Sequence, residues 1–188
     1  MTLPPDLQIL YDQLDDAERH ACQLAAGLSD EHGNWRPSQT SWSVAECLDH
    51  LAITNRFYLA AMRDPALRAR EQGRLRRRPA KPGWIGGLFV RSLEPPAKIR
   101  IKAPQKIQPR SALPLADALT SFCDEQNEVR AFLHAHGDLD LAGLHFANPF
   151  IPWIRFTLAT GLHIISVHER RHLWQARRVR NAAEAALK

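Results

Sequence analysis

Four stretches of this chain repeat apolar residues at intervals of three and four. That period constrains the fold most, because it commits each stretch to a helix with one buried face. The first runs from about Pro5 to Leu28 along Leu7, Leu10, Leu14, Ala17, Ala21 and Leu24. The second runs from about Val44 to Arg63 along Val44, Cys47, Leu48, Leu51, Tyr58 and Met62. Ser43 and Glu46 give it a capping box, Trp42 is placed to fold back as a hydrophobic staple, and Asp64-Pro65 marks a stop. The third runs from about Pro114 to Ala135 along Leu115, Leu119, Phe122, Val129 and Leu133, with Gln126 the one polar break and Gly137 as the expected C-cap. The fourth runs from about Ile154 to Ala182 along Leu158, Leu162, Ile165, His172, Ala176 and Val179. The prediction is an all-α four-helix bundle, a single domain over residues 1–188.

Helices two and three are joined by a long piece, about 64–113, that holds 7 of the 13 prolines. Between Arg63 and Arg110 there are 14 Lys/Arg against 3 Asp/Glu, so the overall charge of +5 leaves the rest of the chain net negative. Lys98-Ile99-Arg100-Ile101-Lys102 alternates and predicts a short extended segment, while the prolines argue against regular structure elsewhere in the connection. The run Arg74-Leu75-Arg76-Arg77-Arg78 offers phosphate contacts. It is short and Pro-bounded, though, with few aromatics and no DNA-reading motif, so a solvated surface loop is expected and nucleic acid is not an expected partner. The loop can also lie over a site mouth and attract an anionic substrate.

No apolar span of about 18 residues occurs, so no membrane helix is expected. The N-terminus lacks a basic start followed by an apolar core, and a cytoplasmic location is the expectation. Cys22, Cys47 and Cys123 are odd in number and widely spaced, which predicts reduced apolar core residues.

The segment His168-Glu169-Arg170-Arg171-His172 lies inside the fourth pattern. At ~100° per residue, His172 lies about 40° and Glu169 about 100° around from His168, all toward the buried side. Two imidazoles at i and i+4 are spaced to grip one metal ion, with Glu169 as a candidate base on its water. Glu169 has a second reading, orienting an imidazole or pairing with an arginine. His163 lies about 180° from His172 and is excluded from the site. His50, in the second helix, is the candidate third imidazole, and three neutral imidazoles plus a water would make an open site. Such donors suit zinc, nickel, copper or iron, with zinc first and nickel close behind.

Other polar residues have two readings each. Glu46 is a cap or a support for His50, Cys47 a core thiol or a metal neighbour, and Gln126 a ligand contact or an exposed end of its seam. The HExxH spelling matches zinc proteases. Their third ligand is missing, because Leu-Trp-Gln-Ala follows His172 and only Glu184 is acidic beyond it. A second apolar strip, Phe156, His163, Val167 and Trp174, predicts packing against the long connection or a homodimer.

Asn34-Trp35-Arg36-Pro37, Ser41-Trp42-Ser43-Val44-Ala45-Glu46-Cys47-Leu48-Asp49-His50-Leu51, the link with Lys102-Ala103-Pro104 and Pro109, and His168-Glu169-Arg170-Arg171-His172-Leu173-Trp174-Gln175 together resemble the DinB-like superfamily over nearly the whole chain. The resemblance implies a four-helix bundle with a divalent metal, zinc or nickel, held by His50, His168 and His172, and in several members a dimer. It implies a metal-dependent hydrolase or a low-molecular-weight thiol S-transferase acting on a small molecule. The rival expectation is a non-catalytic module that binds a small ligand or an anionic partner.

Overall fold

The computed structural model describes residues 2–96 and 103–186. Lys98–Lys102, read above as extended, lie outside the described residues. Six α-helices occur among those described: α1 (Pro5–Ala25), α2 (Asp30–Asn34), α3 (Val44–Glu71), α4 (Trp84–Leu93), α5 (Leu115–His136) and α6 (Leu158–Ala186). A single 3₁₀ turn, Gln105–Ile107, and a hairpin of β1 (His145–Ala147) and β2 (Arg155–Thr157) complete the order. No described helix is long and apolar enough to cross a membrane. The four long helices are those anticipated by the periodicity. α3 packs on α5 and α6, and α1 on the same two, which puts α1 and α3 on opposite corners of the bundle.

The long helices bury their expected stripes, from Leu7 through Leu24 on α1 to Leu158 through Val179 on α6, except that Leu119 of α5 is only half-buried. The capping box at Ser43 and Glu46 forms with both hydrogen bonds, 2.9 and 3.1 Å. α5 has no cap of its own at Pro114, and Asp30 of α2 supplies one by accepting the Leu115 N–H at 2.8 Å. A polar residue from elsewhere thus satisfies a donor that a helix start leaves open.

Four expectations are corrected. α3 does not stop at Asp64-Pro65 but runs through Pro65 to Glu71. A proline inside a helix costs roughly 3 kcal/mol. Burial of Ala66 and Ala69 in the core, with Arg70 bidentate on Asp138 at 2.6 and 3.1 Å, offsets it. The long connection is not irregular throughout, since α4 forms between its prolines and lies on α6. Gly86 makes that approach possible, as a Cβ there would meet Thr160 Oγ1 at 2.5 Å. The fourth helix starts at Leu158, because Arg155–Thr157 pair with His145–Ala147 and turn Phe146 and Phe156 inward. Gly137 is not a left-handed cap, with φ −64° and ψ −17°. It is needed for space, since a Cβ would lie 2.8 Å from the Leu133 carbonyl oxygen.

The connection covers two residues of the second apolar strip, Phe156 of β2 and His163 of α6. Phe156 stacks on Phe89 of α4 with centroids 5.2 Å apart, and His163 Nε2 donates to the Ala80 carbonyl at 3.1 Å. The basic run is drawn into the fold as well: Arg76 pairs with Asp6 at 2.6 Å and Arg78 with Asp140 at 3.3 Å. Cys47 is a core thiol, whereas Cys22 is exposed beside Cys123.

Burial holds His163 below its ordinary pKa, with the Ala80 carbonyl acting in the opposite sense. The folded chain therefore keeps it neutral where the unfolded chain, at about 6.5, takes up a proton. Its stabilising contribution is present above pH 6.5 and lost as pH falls below it. His163→Gln is expected to make the loss of unfolding free energy between pH 7 and pH 5 shallower, measured by urea melts. An unchanged slope would refute the assignment.

The apolar interior falls into two clusters. One joins α3 from Tyr58 onward to Val129, Phe132 and the start of α6. The other joins Val44, Leu48 and Leu51 to Leu115, Phe122 and Leu173. Between them along the helices lies a polar layer of Asn55, Gln126 and Glu169, each 0 % exposed.

Candidate metal centre

His50 is carried by α3, two turns beyond its cap, and His168 and His172 stand one turn apart on α6. Packing of α3 on α6 brings the three together: their ligand atoms all lie within 4.8 Å of one another. His50 Nε2 and His168 Nε2 are 3.3 Å apart. Two nitrogens at about 2.05 Å from one tetrahedral ion stand about 3.3 Å apart, so the spacing suits a shared cation.

The tautomers fit the same role. His50 Nδ1 lies 2.7 Å from the Ile107 carbonyl, which can only accept, so Nδ1 carries the proton and Nε2 a lone pair. His172 Nδ1 likewise meets Gln175 Oε1 at 3.1 Å, leaving its Nε2 to face the cluster. With His50 Nε2 an acceptor, the 3.3 Å contact asks His168 Nε2 for a proton, and His168 Nδ1 has no hydrogen-bond partner among the described residues. A cation held by His50 and His168 would replace that contact. Burial keeps all three rings neutral, the form that ligates. It lowers His50 to about 4 and His172 to about 3, and holds His168 well below its ordinary value, with the neighbouring rings adding to the effect.

The surroundings include residues with no obvious signature in the sequence. Asp49, 0 % exposed, accepts the Arg110 backbone N–H at 2.7 Å and its guanidinium at 2.6 and 3.1 Å. That anchor fixes the 103–113 segment, and with it the Ile107 carbonyl that orients His50. Trp42 does not serve as a staple alone, because its ring lies 4.5 Å from the His50 ring and 5.5 Å from the His172 ring. A bulky aromatic just ahead of the capping box was the available signal for it. Glu46 caps α3 and pairs with Arg36. Cys47 is buried, and burial pushes its thiol far up.

Glu169 is placed in the polar layer. Its Oε1 accepts from Asn55 Nδ2 at 2.7 Å, and burial raises its carboxyl to about 8. Gln126 is fully buried rather than at an exposed end and lies beside this carboxyl. Gln126 is close enough to the Glu169 carboxyl to oppose the effect of burial on it, yet at strict hydrogen-bond geometry Glu169 Oε2, Asn55 Oδ1 and both polar atoms of the Gln126 amide have no partner among the described residues. His163 points to Ala80, away from the cluster.

Arg110→Ala is expected to weaken metal binding by about tenfold or more, as loss of support behind a ligating histidine does. Competition against a chromophoric chelator measures this. Equal affinity would show that Ile107 holds His50 without help.

Helical packing and a trio of inward-facing imidazoles define a bundle with a candidate centre for one transition-metal ion. The chain belongs to the DinB superfamily, whose family profile matches residues 13–176. No curated protein and no solved structure matches it.

Proposed function

We propose that the protein is a metal-dependent enzyme that holds one divalent ion, zinc or nickel, through Nε2 of His50, His168 and His172 and transfers a low-molecular-weight thiol to a small electrophile. The convergence of three neutral imidazoles within 4.8 Å carries this reading. A divalent ion there supplies Lewis acidity, lowering the pKa of a thiol or water that it binds.

Thiol transfer is preferred to hydrolysis because of Glu169. In hydrolysis it would be the base, but its carboxyl lies in the polar layer, bonded to Asn55 and raised to about 8 by burial. A thiol, starting from a pKa of about 8.5 against about 15.7 for water, loses its proton on binding a metal more readily than water does and depends less on such a base. In this reading His50 and His172 are held by Ile107 and Gln175, Trp42 walls one side of the centre, and Glu169 positions α6 through Asn55.

Metal analysis of wild type and His168→Ala tests the site. About one ion per chain is expected in the first and under about a tenth in the second. Equal, low content in both would end the metal reading. Metal-loaded protein is then assayed with glutathione, bacillithiol and mycothiol against an electrophile. Turnover of an ester or amide substrate with no thiol turnover would move the assignment to hydrolysis.

A further inference from the structure

The geometry points to a binding site for a small phosphate-bearing anion, inorganic phosphate or a phosphomonoester, in the cleft between the C-terminal end of α3 and the β1–β2 hairpin. Arg68, Arg74 and Arg155 line this cleft together with Gln72 and His145, and no carboxylate lines it. It is independent of the histidine centre, since Arg68 lies about 27 Å further along α3 than His50 at 1.5 Å per residue.

Three separate pieces of chain deliver the cations. Arg68 and Gln72 are one turn apart at the end of α3. Gly73, at φ +63°, turns the chain so that Arg74 follows directly. In the hairpin Phe146 and Phe156 are paired and buried, so the alternating residues His145 and Arg155 point outward.

Convergence is the informative feature. Many arginines elsewhere meet acids, among them Arg36 with Glu46, Arg70 with Asp138, Arg110 with Asp49 and Arg130 with Glu18, and others such as Arg77 and Arg91 stand singly among the described residues, whereas here three share one concavity whose lining holds no carboxylate. At this cleft, among the described residues, Arg74 reaches only the Gly143 carbonyl, at 3.4 Å, and no acid pairs with Arg68 or Arg155. Arg68 also complements the dipole at the end of α3. That leaves Arg74 and Arg155, outside the helix, unexplained. Three guanidinium forks around one concavity match phosphate oxygens, which accept paired N–H bonds. A volume of about 260 Å³ lies just below the usual range for ligand pockets, which favours a compact anion over a nucleotide.

The test is a titration of the ¹⁵N-labelled full chain at constant ionic strength, following arginine Nε–Hε resonances, with inorganic phosphate in one arm and glycerol 3-phosphate in the other. Saturating shifts at Arg68, Arg74 and Arg155 are expected. Whichever anion saturates first identifies the source of the phosphate. Arg68→Gln and Arg155→Gln, both at exposed positions, should each weaken binding about tenfold, with the melting temperature unchanged in Arg155→Gln and lowered by no more than about 4 °C in Arg68→Gln through loss of its helix-end charge. Linear shifts, equal binding by the variants, or a response only to anionic vesicles or duplex DNA would overturn the proposal.

Discussion

Zinc or nickel at a thousand times its dissociation constant is expected to raise the stability of the wild-type protein by about 4 kcal/mol. A chain of this length gains about 2–4 °C in melting temperature per kcal/mol, so a rise of roughly 8–16 °C follows. His50→Ala should show almost none of it. The reason is geometric: His50 comes from α3, the other two ligands come from α6, and an ion held by all three ties those helices together. Without His50 the ion bridges nothing and grips only residues one turn apart on one helix. Calorimetry with and without a chelator measures the difference. A comparable rise in His50→Ala would mean that the ion binds elsewhere.

Phe122→Ala is expected to cost about 3–5 kcal/mol, the range for truncating a buried aromatic. Phe122 is 0 % exposed and packs in the cluster with Leu48, Leu51 and Leu173, close along the helices to the histidines. The cluster around it also draws Ala17, Ala21 and Leu24 from α1, so its members come from α1, α3 and α6 and cannot collapse into the space without moving the bundle. The melting temperature should fall by about 6–20 °C at the same scaling. A loss below about 1 kcal/mol would show that α5 is not packed here as described.

The four long helices were legible because burial on one face leaves a period that survives in any context. The stripe of α1 matches the sequence reading residue for residue, whereas α3 buries all six of its expected residues and also a polar set, Glu46, Asp49, His50, Thr54 and Asn55, that the apolar period did not mark. α4 was not legible: the prolines on either side of it and Gly86-Gly87 within it argue locally against a helix, and only its docking on Thr160 and Phe156 shows why it forms. Pro65 misled for the same reason, since local cost is visible in sequence and tertiary burial of Ala66 and Ala69 is not. At the site, the histidine pair was visible from spacing, and His50 was singled out with help from the family resemblance. The support behind them was hidden. Ile107 acts through a backbone carbonyl, which any residue type carries, and Asp49 through an arginine 61 positions away.

The band formed by Asn55, Gln126 and Glu169 acts as a detent on helix height. Sliding α6 by one turn against α3 would press an amide and a carboxyl into hydrocarbon and leave them without partners, which is costly in a dry interior. The apolar clusters above and below the band resist a shift through close packing, and the directional Asn55–Glu169 bond adds a polar constraint on the same register. The elevation at which two α6 imidazoles stand level with the one on α3 is thus set from the middle of the bundle, a turn away from where a cation would sit.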